Sequence, residues 1–489
     1  MRRRLAALCA AALVVAVAAP LATAAPLFGR TRGLPAPVHD ALARARVPLG
    51  AVAAVVEPAE GGAALVAHRE RAAMNPASVM KLVTSYAALG LLGPAFTFRT
   101  DVLLDGELKD GVLAGNLVLR GGGDPELTYE RVWQIAHQLR ARGLSAIRGD
   151  VVVDRGYFAP AADDAARFDS EPRRAYNVPP DALLVNFGAI EFTFVPGADG
   201  VSVVGEPDLP GVRISAGIRA VPGPCGAWRH GLAYEVHDAG LGASVEFSGT
   251  YPAECGERTW PLAVLAPPRM LEAVFRWAWS EAGGTLTGRV RDGATPDGAR
   301  LFLRHRSEPL ANLLRDMNKF SNNVMARDIF LALSAELADG PGTAAESARI
   351  VREWLAGRGI DASGLVLENG SGLSRDERVS AATLAALLRS AWASGLMPEL
   401  ASSLPIFAVD GTFEDRPESD AAGRAHVKGG TLTGVQSIAG YVLDRAGRRW
   451  IVVMMVNDPQ ANAAESAFDA LLEWVAARGA PRPGRARSG

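Results

Sequence analysis

The stretch from Asn75 to Leu89, NPASVMKLVTSYAAL, constrains this chain more than any other. Val79, Leu82, Val83, Tyr86 and Leu89 recur at helical spacing, which predicts a mostly buried helix. Ser78 and Lys81 stand three residues apart on it, so one turn stacks a hydroxyl against an amine. A serine becomes a nucleophile only when a neighbour takes its proton, and a lysine can do so only where its surroundings keep it neutral. A buried helix face offers such surroundings. Taken alone, however, the pattern more often marks an ordinary helix with a capping serine.

The lysine count sharpens the reading. Of 51 Lys and Arg residues only Lys81, Lys109, Lys319 and Lys428 are lysine. Arginine is not deprotonated in proteins, so a chain that has drifted to arginine should keep lysine where proton transfer or a compact ammonium is needed.

At the start of the chain, Arg2 to Arg4, the apolar run Leu5 to Ala19 and Ala22-Thr23-Ala24 have the three-part form of an export signal, residues 1–24, with cleavage expected after Ala24. The apolar run is shorter than the roughly 20 residues that span a bilayer. Export to an oxidising compartment, expected to be the periplasm, leaves Cys225 and Cys255 as a pair that can form a disulfide; sequence leaves open whether they come close enough. The formal charge of −2 falls to −5 without the signal, which gives no reason to expect a nucleic-acid partner.

The remaining length predicts two or three domains. Gly50 to Val56 and Ala63 to His68 read as two strands joined by a Pro/Gly turn ahead of the Ser78 helix. From about Phe96 the texture changes to short strands and glycines. Val102 to Leu104, Leu117 to Leu119 and Val151 to Val153 are strand candidates, and Glu130 to Arg142 a helix. Tyr176 to Phe187 reads as a crossing segment. Helices resume at Arg269 to Gly283, Pro309 to Met317 and Asn322 to Ala338. The polar cluster Asn318 to Asn323 lies between the last two, where Ser and Asn can cap a helix or turn toward Ser78.

Val427 to Leu432, Ser437 to Leu443 and Trp450 to Val456 fit an antiparallel meander, closed by an amphipathic helix from Ala461 to Ala477. The fold expected is α/β (α+β): a five-stranded antiparallel sheet flanked by helices, split between 25–95 and 265–480. A β-rich accessory section, 96–264, is inserted in it, and a disordered tail, 481–489, follows.

Ser78-x-x-Lys81, Ser321-x-Asn323 and Lys428-Gly429-Gly430-Thr431 occur in the order, and on the elements, of penicillin-recognising serine acyltransferases. With the loop Asn369 to Ser374 and the 243-residue spacing from Ser78 to Ser321, the chain resembles low-molecular-mass, class C penicillin-binding proteins. These are D-alanyl-D-alanine carboxypeptidases and endopeptidases with a large insertion after the nucleophile helix.

The resemblance implies a serine peptidase of the β-lactamase/transpeptidase-like fold, acting on peptidoglycan stem peptides through an acyl-enzyme and acylated by β-lactam antibiotics. Ser78 would be the nucleophile, with Lys81 and Ser321 moving protons. Asn323, Lys428, Gly430 and Thr431 would hold the substrate, and backbone N–H groups of Ser78 and Thr431 would form the oxyanion hole. No metal or other cofactor is needed.

Gly429 departs from the family, which usually has Thr or Ser there; Gly429→Thr is expected to raise activity modestly. Three rivals stand against this reading. A β-lactamase would need a carboxylate that activates water, and no convincing Glu-x-x-x-Asn element lies between Ser321 and Lys428. A non-catalytic peptidoglycan-binding protein would not need its proton-handling side chains intact. A metallohydrolase is weaker still, since none of the seven histidines forms a His-Glu-x-x-His pair.

Overall fold

The computed structural model describes residues 33–160, 165–240 and 242–479. The expected export signal and the C-terminal tail lie outside the described residues.

Five antiparallel strands form the central sheet, in the order Ala425–Leu432, Val435–Leu443, Arg449–Asn457, Val52–Pro58, Val66–His68. Two come from before the Ser78 helix and three from the C-terminal meander, as the strand pattern predicts. Their nearly unbroken apolar runs follow from burial on both faces. Ala53, Val55, Val453 and Met455 pack against the helices Lys81–Leu91, Asn323–Leu337 and Ala381–Trp392. Ala54, Val56, Val452 and Met454 pack with the helices Ala36–Arg44 and Glu465–Ala476 on the other face. Residue-by-residue alternation thus divides one sheet between two apolar layers. A further helix, Ala344–Gly357, begins at Thr343, whose hydroxyl caps the Glu346 N–H; the sequence reading did not anticipate it.

The section after Phe96 builds a second core. Arg99–Lys109 and Val112–Gly121 pair as a hairpin, Val151–Asp154 adds in parallel to the latter, and the helix Tyr129–Ala141 packs on them. The chain does not return to the central sheet at 265. The helix Pro267–Glu281 packs against Tyr129–Ala141, and Val290–Asp292 and Arg300–Arg306 add to the accessory sheet beside Val151–Asp154 and Arg99–Lys109. We therefore propose a domain division with the insertion running from about 99 to 306. Short return strands carry no local sign of which sheet they will join, which is why the sequence placed the boundary early.

Two three-stranded sheets extend the accessory section. One joins Arg258–Leu262, Ile190–Gly197 and Gly200–Glu206; the other joins Val212–Val221, Gly242–Pro252 and Leu232–Ala239. A disulfide links Cys225 and Cys255, whose Cα atoms are 4.5 Å apart. The crossing segment touches the catalytic side: Val178 and Leu184 pack with Val324, and Arg327 donates to the Val178 carbonyl at 3.3 Å.

Candidate active site

Ser78 lies in a 3-10 turn, Ala77–Met80, that leads into the α-helix Lys81–Leu91. The sequence suggested one continuous helix from Asn75. Instead the backbone enters through Ala77 at φ 46°, and a web of contacts fixes that entry. Asn75 donates its side-chain amide to the Ser374 carbonyl at 2.8 Å and exchanges two bonds with the Asn457 amide. The Ser437 hydroxyl donates to the Pro76 carbonyl. Gly372 approaches so closely that a Cβ there would stand 1.9 Å from the Ala77 carbonyl oxygen.

The predicted stacking of hydroxyl and amine is present, with Lys81 Nζ 3.0 Å from Ser78 Oγ. Lys81 is fully buried, and its nitrogen also donates to Asn323 Oδ1 and to the Ser371 carbonyl, both at 2.6 Å. Burial, foremost, and then the charge of Lys428 push the Lys81 pKa well below its ordinary value, while Glu377 pulls the other way. A neutral amine has two N–H bonds and one lone pair. Donating to Asn323 and Ser371 leaves the lone pair facing Ser78, the orientation a proton acceptor needs.

Ser321 and Asn323 sit where two helices meet. The helix Leu310–Lys319 ends, Ser321 adopts φ 57°, and Asn322 caps the helix Asn323–Leu337 by accepting from the Met325 N–H at 3.1 Å. Capping therefore belongs to Asn322, which leaves Ser321 to meet Lys428. Lys428 is buried, donates to Ser321 Oγ at 2.9 Å and to the Gly429 carbonyl at 2.7 Å, and burial brings its pKa down to about 7.

Lys428, Gly429, Gly430 and Thr431 lie on Ala425–Leu432, the edge strand of the central sheet. A Cβ on Gly430 would stand 2.8 Å from the Ser78 backbone nitrogen, so only glycine permits this approach of strand to the Ser78 turn. Ser78, Ser321, Gly429, Gly430 and Thr431 line one cavity of about 300 Å³. Asn323 reaches the group through Lys81 and, with Ser321, borders a second cavity.

Several partners were not singled out from the sequence. The Ser371 carbonyl is backbone, and residue type gives no sign of it. Its loop is held by buried Glu377, whose Oε1 accepts from the N–H groups of Glu368, Asn369 and Gly370 at 3.1, 3.0 and 2.9 Å. Phe413 packs its ring where a side chain on Gly429 would go: a Cβ there would be 2.9 Å from Phe413 Cζ. Lys319 is also buried and pairs with Asp410, next to the turn Gly411–Phe413 that carries this ring. Three of the four lysines, Lys81, Lys319 and Lys428, are therefore buried around the site.

Phe413 reverses the expectation for Gly429. The space is filled, so Gly429→Thr overpacks at a cost of about 1–3 kcal/mol. The variant is expected to lower kcat/KM on a D-Ala-D-Ala peptide several-fold, and adding Phe413→Leu to restore much of it. A single variant faster than the parent would contradict this.

A Ser-x-x-Lys turn against the edge of a five-stranded antiparallel sheet, with Ser-x-Asn on a helical lobe opposite, defines the class of penicillin-recognising serine enzymes. Within it, the chain belongs to the D-Ala-D-Ala carboxypeptidase 3 (S13) family, whose pattern residues 34–478 match. It is 32% identical over 448 residues to a D-alanyl-D-alanine carboxypeptidase of Actinomadura sp. (strain R39), covering 85% of this chain and 79% of that one. It is 26% identical over 420 residues to the D-alanyl-D-alanine carboxypeptidase DacB of Haemophilus influenzae, covering 80% and 82%. The fold is similar to the crystal structure of penicillin binding protein 4 from Haemophilus influenzae, with TM-score 0.72 and 22% identity over 89% of this chain and 99% of that one.

Proposed function

We propose that the protein is an exported serine DD-peptidase, placed in the periplasm, that removes the terminal D-alanine of peptidoglycan stem peptides and cleaves D-Ala cross-links. The observation that carries this reading is the buried Lys81 amine 3.0 Å from Ser78 Oγ. A disulfide suits an oxidising compartment.

In this mechanism Lys81 takes the Ser78 proton as Oγ attacks the carbonyl between the two D-alanines. The oxyanion settles between the backbone N–H groups of Ser78 and Thr431. Collapse breaks the C–N bond, and the leaving amine takes a proton through Lys81 and Ser321. Water then attacks the ester, and Ser78 recovers its proton. Splitting amide hydrolysis into acylation and deacylation replaces one hard step with two easier ones.

Asn323 uses its Oδ1 on Lys81, so its Nδ2 is the end that meets the substrate amide. The terminal carboxylate is met by Lys428 and the Thr431 hydroxyl. That negative charge favours the Lys428 ammonium, which burial alone disfavours. β-Lactams enter by the same attack and remain as the acyl-enzyme.

The test is release of D-alanine from an N-acylated D-Ala-D-Ala peptide. The parent is expected to release it and Ser78→Ala to release none above background. Release by folded Ser78→Ala at the parent rate would end this reading.

A further inference from the structure

A larger cavity, about 540 Å³, opens between the accessory section and the Ser321 turn. Ser321 lines both this cavity and the one that holds Ser78, so the two adjoin. Two large apolar side chains left exposed among the described residues line the larger cavity: Tyr176 (40% exposed) from the accessory section and Phe320 (68% exposed) beside Ser321. The buried Trp260 lines it too, with the guanidinium carbons of Arg174 and Arg229 at 5.1 and 5.7 Å from its ring centre.

Gathering two guanidinium groups around one ring costs Coulomb energy that an anion would recover. Among the described residues the one carboxylate beside Arg174 is that of Glu171, at a long 3.6 Å, and Arg229 donates to the Thr259 carbonyl at 3.4 Å. Burial and then the neighbouring Arg174 lower the Arg229 pKa, in keeping with that crowding. Glu130, Glu191 and Glu206 line the same cavity, and Glu206 already accepts from the Tyr129 hydroxyl. A ligand that suits the whole lining therefore carries both a carboxylate and an amine, with flat or apolar stretches between.

We propose that this cavity is a subsite for a second peptide strand of a cross-linked substrate, with a free carboxylate of that strand held between Arg174 and Arg229. Phe320 and Tyr176 bracket the chain, and Ser321 marks where it enters the nucleophile cavity. The inference rests on the DD-peptidase reading and extends it: the accessory section selects joined stem peptides over single ones. Arginine suits the task because its planar fork matches a carboxylate and stacks on aromatic rings.

The experiment compares kcat/KM of the full chain on three substrates: a short N-acyl-D-Ala-D-Ala peptide, a sugar-free cross-linked stem-peptide dimer, and a single stem peptide carrying its disaccharide. Arg174→Gln/Arg229→Gln is expected to lower the dimer-to-short-peptide ratio about tenfold or more, mainly through KM. Arg229→Lys alone should keep part of the preference. Turnover of the short peptide shows that each variant is folded. An unchanged ratio would overturn the proposal, and a loss confined to the disaccharide substrate would overturn it in favour of a sugar subsite. Failure of the parent to be acylated by benzylpenicillin would instead bring down the reading beneath it.

Discussion

Lys81→Met is expected to slow acylation by benzylpenicillin about 10³-fold, within the range general-base catalysis contributes. Methionine fills a similar volume, so the fold should survive. What is lost is the acceptor 3.0 Å from Ser78 Oγ, and with it the bonds to Asn323 and the Ser371 carbonyl. A companion measurement separates a base from a merely structural lysine. The Lys428 charge helps to hold the Lys81 pKa down, so removing it with Lys428→Gln must let that pKa rise. As pH falls, Lys81 will then protonate sooner, and the acid limb of the acylation profile should move to higher pH. An acid limb that stays put, or a Lys81→Met enzyme within tenfold of the parent, would contradict the assignment of the base.

Gly430→Ala should cost about 10²- to 10³-fold in the same reaction, the loss associated with a misplaced oxyanion donor. The added Cβ would lie 2.5 Å from Ser437 Oγ, 2.7 Å from the Pro76 carbonyl oxygen and 2.8 Å from the Ser78 nitrogen. Two of these three atoms are backbone, so no rotamer change relieves the contact. The edge strand must move away from the Ser78 turn, and the proposed oxyanion hole of the Ser78 and Thr431 N–H groups then opens. Thermal unfolding of the same sample distinguishes this from collapse of the fold. A folded Gly430→Ala enzyme acylated within threefold of the parent rate would show that the close approach does not matter.

What could be read in advance follows from where the information lies. Ser78 and Lys81 were legible because one turn of helix holds both, and the two-layer sheet because its strands run apolar between turn signals. The pairing of Lys428 with Ser321 could be anticipated only from the joint occurrence of three motifs, since 107 residues separate the partners. The Ser371 carbonyl, the Phe413 ring over Gly429 and the return strand Arg300–Arg306 were not legible. One is backbone, one is a packing fact, and one is a choice between two sheets. Lys319 lay between: its rarity marked it, yet nothing local named Asp410 as its partner. The cysteine pair was visible, but its closure needed the three-dimensional path of the intervening strand Leu232–Ala239 and its neighbour Gly242–Pro252.

The central claim is that Ser78 is the nucleophile of a slowly deacylating peptidase. Intact-protein mass spectrometry with benzylpenicillin, followed over time beside Ser78→Ala, tests it most directly. The account predicts a persistent adduct of the drug's mass in the parent and none in the mutant. An adduct of equal yield on Ser78→Ala would contradict it, as would rapid drug hydrolysis by the parent with no adduct accumulating.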